Sequence, residues 1–561
     1  MEQALIYKIN MLASNFFRLY HTVKYLKATQ IFNRILRKFK RIDITTCVGM
    51  NLRTVKEPLA SFEVMPQSYF GNMTFRFLNK TIKVNNWNDH KLTKLWTYNL
   101  HYFDDLNAIN ASSRKNIHLE LINNWISENP PLVGNGWEPY PLSLRIVNWI
   151  KFIINNNISD EKILSSLQLQ VKVLSQKIEY HLLGNHLFAN AKALVFAGAF
   201  YSGEKAEQYL NEGLRIIDKE IREQILSDGG HFELSPMYHN IILTDLLDLC
   251  NLNMAYQCEQ TCKRIDNWKT AVEKMIHFAV AVTHPDGDVS FFNDSAFGIA
   301  PKISDLISYA ERIDVLKQQR SLLRDNKISF DTAVDFTFLE NSGYVSASTC
   351  DSKVIIDVAK VGADYIPGHA HADTLSFELS IFGERLIVNS GTSEYGLGET
   401  RLLQRRTKSH NTIEVSGLDS SEVWSGFRVA RRAMPQNVNI FSANNILIVE
   451  GAHDGYARLH IKTTHSRKWT LKDNQLSIDD YVSGDYLSAY AYYYFHPDIK
   501  ISEKSNSLIL TLTNGKTVTM QVTSSFELVD SQWYPQFGLS QANKCLIVAF
   551  KEPQVSVSIR W

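Results

Sequence analysis

The sequence predicts two domains of different class in series, an incomplete (α/α) toroid followed by an antiparallel β-sandwich. Three observations carry this. At 561 residues and 64.2 kDa the chain exceeds the size at which one hydrophobic core keeps growing. From about residue 90 to 325 apolar side chains recur at helical spacing. After about residue 335 they recur at period two, in short runs rich in β-branched and aromatic residues. With 45% hydrophobic and 21% charged residues, the composition supplies enough burial to fold both parts.

The first element, residues 1–45, is a basic segment. Up to residue 41 it carries Glu2 as its only acid against nine Lys and Arg, ending in Arg34, Arg37, Lys38, Lys40 and Arg41. Phe16, Phe17, Leu19, Tyr20 and Tyr25 add an apolar component. The segment therefore either lies on an anionic membrane surface or packs as a basic helix on the body of the protein. It lacks the unbroken apolar region and small-residue cleavage site of a secretory signal, and no stretch approaches the roughly 20 apolar residues needed to span a bilayer. These features predict a cytoplasmic location or a peripheral one at the inner membrane, with the periplasm as the alternative. Over the whole chain Lys+Arg 59 stand against Asp+Glu 58, which argues against bulk electrostatic binding of nucleic acid. Any anionic partner must meet local cations. Cys47, Cys250, Cys258, Cys262, Cys350 and Cys545 show no disulfide framework, which fits a reducing compartment.

The second element, residues 46–330, is the helical domain. Ile117, Leu119, Leu121, Ile122, Trp125 and Ile126 mark one helix, and Leu167, Leu169, Val171, Val173 and Leu174 another. Breakers separate the helices at Asn129-Pro130-Pro131, Gly134-Asn135-Gly136, Gly184-Asn185, Asp228-Gly229-Gly230 and Pro285-Asp286-Gly287. Helix hairpins without a strict short repeat point to a toroid rather than a solenoid. The third element, residues 335–561, alternates strands with turns. Its strands include Val354 to Val358, Leu375 to Ile381, Leu386 to Val388, Asn411 to Val415 and Leu508 to Leu512. A cleft between the two domains is the natural ligand site.

Four stretches carry candidate chemistry. Gly368-His369-Ala370-His371-Ala372-Asp373 leads into the strand at Leu375; two histidines one residue apart in a strand share a face and can meet one ligand or metal. His410 opens another strand beside Asn411. In the helical half, Asn185 and His186 open a helix whose free N–H groups favour a carboxylate, although Asn185 reads equally as an N-cap. Gly229-Gly230-His231-Phe232-Glu233 runs on to Tyr238-His239, where the tyrosine serves either chemistry or packing. Trp137, Tyr140 and Arg145 supply the aromatic plates and the cation that a sugar acid needs, or else a loop leading into a helix.

In order, spacing and context these stretches resemble the heparinase II/III-like polysaccharide lyases, a likeness running from about residue 95 to the end and most specific between 365 and 415. The family's fold, an incomplete toroid followed by a sandwich, agrees with the reading above. The resemblance implies an enzyme, a carbon–oxygen lyase that removes the C5 proton of a uronic acid in an acidic polysaccharide and cuts the chain by β-elimination. By the same likeness, Asn185 and His186 match the pair that neutralises the sugar carboxylate. Tyr238 matches the tyrosine that protonates the departing oxygen and, for one sugar configuration, also takes the C5 proton. His369 matches the catalytic histidine of the sandwich side, acting as base or as carboxylate contact. Glu233, Arg405 and Arg406 join Trp137, Tyr140 and Arg145 as substrate contacts, and either His369 or the pair Arg405 and Arg406 would lower the pKa of the phenol.

Many relatives hold a structural zinc, and His371 and His410 match two of its ligands. Asn389 stands where those relatives have Asp. A neutral amide is a poorer zinc ligand than a carboxylate, so either Asp373 substitutes or the site is held by hydrogen bonds. No organic cofactor is implied. Two other functions are consistent with the same residues: a uronosyl C5-epimerase, which returns the proton to the opposite face, and a glycan-binding protein without chemistry. The N-terminus would place the enzyme beside the machinery that builds a surface polysaccharide.

Overall fold

A computed structural model describes residues 16–45, 49–316, 334–458 and 463–561. Cys47 and most of the junction expected between 330 and 335 lie outside the described residues. Among the described residues a helical stretch at 16–23 comes first, followed by a short basic helix, α1 (Ala28–Phe39). The helical domain follows as α2 (Lys94–Tyr102), α3 (Lys115–Glu128), α4 (Pro139–Asn156), α5 (Glu161–Gln176), α6 (Gly184–Phe200), α7 (Glu204–Gln224), α8 (Pro236–Tyr256), α9 (Ile265–Ala281) and α10 (Ile303–Arg312).

Local sequence explains the helix ends that position the site. Helix α4 begins on Pro139 at its first position, where the missing N–H costs nothing, and stops at Asn157 in the left-handed region (φ 52°). Helix α8 is capped by Ser235, whose hydroxyl accepts from the Tyr238 N–H at 3.2 Å, again with Pro236 at the first position. Helices α6 and α8 are apolar around most of their circumference and buried on almost every side, so they form the centre of the helical layer. Helix α7 approaches α6 through two glycines. A Cβ on Gly198 would meet the Leu210 nitrogen at 2.5 Å, and one on Gly213 the Ala191 oxygen at 2.8 Å.

Among the described residues, the second domain holds three larger antiparallel sheets and a two-stranded one, Val423–Trp424 with Arg428–Val429. A five-stranded sheet takes β1 (Asp335–Leu339), β2 (Tyr344–Ser348), β3 (Ser352–Asp357), β4 (Phe377–Ile381) and β5 (Glu384–Ile387) in sequence order. A bridge from Ile387 to Phe495 links it to a four-stranded sheet containing Ile413–Val415, Ala489–Tyr494, Gln541–Ala549 and Phe526–Trp533. An eight-stranded sheet faces them, and its strand Ile446–His453 buries every second residue, as a half-buried strand must. Val354, Phe377 and Leu379 from the first sheet, Ile413 and Leu546 from the second, and Val449, Trp469 and Ile478 from the third share one apolar core. This is the sandwich the period-two pattern predicts.

One local expectation fails. The strand expected from Leu375 begins at Phe377, and Pro367–His369 is a single 3-10 turn. His369 and His371 therefore lie in irregular backbone rather than on one face of a strand, and Leu375 takes φ 64°. Irregular backbone this deep needs outside partners. Asn293 of the helical domain supplies some of them: its side-chain Oδ1 accepts from the His371 backbone N–H at 2.9 Å, and its backbone N–H donates to the Asp373 carboxylate at 3.0 Å.

Candidate active site

The helical wall of the site comes from α2, α4, α6 and α8. Leu183 (φ 68°) and Gly184 (φ 58°) turn the chain sharply into α6, so that Asn185 and His186 fall in its first turn. Asn185 is thus inside the helix and is not its cap, and its side-chain amide has no hydrogen-bond partner among the described residues. The His186 Nδ1 lies 3.1 Å from the Glu179 carboxylate, and its ring packs on Tyr140 with centroids 4.4 Å apart. Burial alone would lower the His186 pKa, but the Glu179 carboxylate outweighs it and raises the pKa above the ordinary value. Tyr140 in turn meets Tyr102 edge-on at 6.0 Å, and Tyr102 meets Tyr98 at 6.4 Å, which extends an aromatic wall away from His186. Tyr98 and Tyr102 are four apart in α2 and so share a face.

Tyr238 stands in the first turn of α8. Its ring faces that of His369 from the other domain, with centroids 3.9 Å apart and planes inclined at 31°. Its hydroxyl lies 3.0 Å from that of Tyr395. Burial, with Tyr395 next, pushes the Tyr238 pKa well above the usual tyrosine value, so the phenol keeps its proton.

His369 is held from behind by Asp294, which follows α9 in the helical domain. The His369 Nδ1 lies 2.8 Å from one Asp294 oxygen, and the His371 Nε2 lies 2.7 Å from the other. Arg401 binds both oxygens of the same carboxylate. Burial would raise the Asp294 pKa, but Arg401 and the two imidazoles hold it well below the usual carboxylate range. An ionised carboxylate only accepts hydrogen bonds. The proton of neutral His369 is therefore on Nδ1 and its lone pair on Nε2; for His371 the arrangement is reversed, and Nδ1 is free. The two histidines do converge, but on Asp294 rather than on one ligand.

Several expected substrate contacts prove to be interior. Arg145 is wholly buried: it donates to Gln170, the His101 carbonyl and the Gly136 carbonyl and stacks on Trp125, so it has no donor to offer a sugar. Trp137 belongs to the core of the helical domain. Arg405 is also wholly buried and spends its guanidinium on the carbonyls of Ala370, Ser425 and Arg428, which fixes the loop bearing His369 but leaves it unable to lower the pKa of the phenol. Arg406 is partly exposed and lies 3.9 Å from Asp419. Glu233 is buried, with its carboxylate 3.7 Å from the His369 Nε2 and no hydrogen-bond donor in good geometry on either oxygen; burial pushes its pKa up. It underlies the site and does not line it.

The arrangement near His371 fits a metal. The His371 Nδ1 and both ring nitrogens of His410 are buried without hydrogen-bond partners among the described residues. Ligand atoms of His371, Asp373 and His410 lie within 4.8 Å of one another. Asn389 contributes differently from the expectation: its amide oxygen accepts from the Asn411 backbone at 3.2 Å and side chain at 3.3 Å. The carboxylate of this cluster is Asp373.

Sequence reasoning missed Asp294, Arg401, Tyr395, Glu179, Tyr98 and Tyr102. For the two tyrosines of α2 the spacing of four was the available signal. For Asp294 there was none, since its partners lie 75 to 107 residues away along the chain.

Comparison with known proteins identifies the family and the fold. A family model described as Heparinase II/III N-terminus matches residues 18–323, and one described as Heparinase II/III-like, C-terminal matches residues 331–561. A heparin-sulfate lyase of Bacteroides stercoris is 28% identical over 254 residues, covering 43% of this chain and 37% of the relative. One from Pedobacter heparinus is 27% identical over 265 residues, covering 45% of this chain and 38% of the relative. The chain thus spans less than half the length of either. Among solved structures, heparinase III superposes with a TM-score of 0.69 at 18% identity, over 86% of this chain and 80% of that one. A chondroitinase AC lyase superposes with a TM-score of 0.51 at 10% identity, over 85% and 78%. These structural likenesses show the fold, a helical toroid followed by a β-sandwich.

Proposed function

The chain belongs to the heparinase II/III family, and from that premise we propose that it is a polysaccharide lyase cutting a uronic-acid-containing glycan of glycosaminoglycan type by β-elimination. The observation that carries this reading is the meeting of Tyr238 and His369, one from each domain, at 3.9 Å between ring centres, together with an Asn185 side-chain amide that has no partner among the described residues.

The chemistry follows from the protonation states. A C5 proton becomes acidic only when the adjoining carboxylate is neutralised. The Asn185 amide and the His186 ring, whose pKa the Glu179 carboxylate raises, perform that neutralisation. The His369 Nε2 lone pair takes the C5 proton, and the electron pair forms the C4=C5 bond as the C4–O bond breaks. Tyr238, whose proton is held by burial, donates it to the departing oxygen. The tyrosine wall from Tyr98 to Tyr140 offers flat faces to further sugar rings.

His371, His410 and Asp373 are the residues that would hold a divalent metal, zinc by the chemistry of the set. Its contribution would be a structural crosslink between the segments on either side of Arg401, apart from the elimination itself.

Turnover on a panel of uronic acid polymers tests the assignment, read by the ultraviolet absorbance of the unsaturated product. Tyr238→Phe and His369→Ala should each lower kcat by about 10²–10⁴-fold while leaving the circular dichroism unchanged. Full activity in both variants, or uptake of solvent deuterium into polymer of unchanged length, would sink the lyase reading.

A further inference from the structure

Helix α1 is docked with its polar side inward. Gln30 is buried and lies within hydrogen-bond distance of the Leu182 and Tyr365 carbonyls, at 3.4 and 3.3 Å. Lys27 bonds Glu223 and stacks over Tyr365, and Arg37 meets His181 at 2.6 Å. The opposite side is apolar and faces solvent. Ile31, Phe32, Ile35, Leu36 and Phe39 recur at helical spacing, with Phe32 62%, Ile35 55% and Phe39 77% exposed. Just upstream, Phe16 (67%), Phe17, Leu19, Tyr20 and Val23 are exposed as well. A helix stabilised by its own domain shows the reverse orientation, and a contiguous apolar patch of this kind marks an interaction surface.

We propose that residues 16–41 are a docking element for the surface of an anionic lipid bilayer. Between residues 16 and 42 there is no acidic side chain, and Lys24, Arg34, Lys38, Lys40 and Arg41 are exposed around the apolar stripe. Bulky apolar side chains framed by cations match a bilayer carrying negative headgroups. The same cations oppose pairing of this face with a second copy of itself. No described helix is long and apolar enough to cross a membrane, so the contact is peripheral. The carbonyls beside Gln30 belong to the stretches leading to Asn185 and to His369, and Thr22 accepts from the Trp424 indole at 3.1 Å. The element therefore grips both domains, and docking would hold the cleft at a fixed attitude to the membrane.

Flotation of the full chain with vesicles tests this without any measurement of turnover. Phosphatidylglycerol–phosphatidylcholine vesicles should carry the protein to the top of the gradient. Pure phosphatidylcholine vesicles, or 1 M salt, should reduce the bound fraction by about tenfold. The double variant Phe32→Ser, Phe39→Ser should lose binding to a similar extent with unchanged circular dichroism, since both side chains are exposed. Absence of flotation with anionic vesicles would overturn the proposal. So would flotation that survives the double variant, or a dimer in solution that the variant dissociates, which would assign the stripe to a second copy.

Discussion

His369 can take a proton from carbon only while Nε2 carries its lone pair, and one carboxylate, Asp294, sets that state by occupying Nδ1 at 2.8 Å. Asp294→Asn keeps the size of the side chain but can offer its amide N–H to His369, which removes the preference for the reactive tautomer. The expected result is a fall in kcat of about 10²–10⁴-fold with KM changed only a few-fold. The same substitution leaves Arg401 buried without its counter-charge, at a cost of about 3–5 kcal/mol, visible as a lower Tm. Adding Arg401→Met should restore much of the stability and none of the turnover; recovery of both would show that Asp294 acts only as a fold contact. His186 gives a pH prediction. Its folded pKa is raised by Glu179, so the charged ring, and with it carboxylate binding, is present at low pH and is lost as pH rises through the raised value. The stabilising contribution of the pair follows the same window: full below the unfolded histidine pKa, gone above the folded one. In Glu179→Gln the alkaline limb of kcat/KM should shift to lower pH, while the acidic side, where the ring is charged in both proteins, stays where it was. An unmoved alkaline limb would remove His186 from the binding role.

Among the elements, the segment from His369 to Leu375 is the one that local sequence least explains. It has neither helix nor strand hydrogen bonds and is tied by Asn293, by Arg405 and by Arg467, which donates to the Leu375 carbonyl at 2.8 Å. A metal on His371, Asp373 and His410 would add the missing tie. Metal analysis of the purified protein should then find about one equivalent of zinc per chain. Chelation should lower Tm by several degrees, and His410→Ala should lower it without further loss on chelation. Metal-free protein of unchanged Tm would leave the cluster as a set of orphaned polar groups. Gly184 is the corresponding weak point of the helical wall. At φ 58°, with a Cβ that would meet the Ile366 side chain at 2.6 Å and the Glu233 carboxylate at 2.8 Å, Gly184→Ala should cost stability and displace Asn185 together. The elements themselves were readable because period 3.6 and period two survive in their core faces. Irregular backbone leaves no period, which is why the His369–His371 stretch was read as a strand. The misreadings at Arg145, Trp137 and Arg405 have a related origin: a cation beside aromatic residues has the same local sequence whether it faces a sugar or a row of buried carbonyls. Tyr238, Asn185 and His369 were legible through spacing and resemblance, whereas Asp294, set in Phe292-Asn293-Asp294-Ser295, needed the fold to bring its partners to it.

At the scale of the whole molecule, the site exists only because two domains of different class meet, joined by buried polar contacts and by an apolar cluster that takes Leu234, Phe278 and Phe292 from one and Leu339, Tyr344 and Ile355 from the other. His284, just beyond α9, lies 2.9 Å from Glu378 and 2.7 Å from Ser380 on β4, and neither His284 nor Glu378 is accessible to solvent. Arg385 bonds Asp286 at 2.6 Å, Ser342 bonds Asp228 at 2.7 Å, and Tyr344 donates to the Leu234 carbonyl at 2.7 Å. Two-domain chains usually unfold in separate steps, because an ordinary interdomain surface is wet and weakly coupled. Here, unfolding of either domain would break those polar contacts and expose the shared apolar cluster to water. A shared core of this kind couples the two domains, so calorimetry should record one endotherm for the full chain. Glu378→Ala should lower that transition without splitting it. The wild-type pair also sets a pH dependence: burial pushes Glu378 up to about 7, so between its unfolded value of 4.5 and 7 the folded state holds a proton that the unfolded state has released. Stability should therefore fall with rising pH across that window relative to Glu378→Gln, whose side chain does not titrate. Two endotherms that move independently, one with Glu378 and one with a core substitution in the helical domain such as Leu246→Ala, would show that the cleft is assembled by loose docking rather than by a shared buried seam.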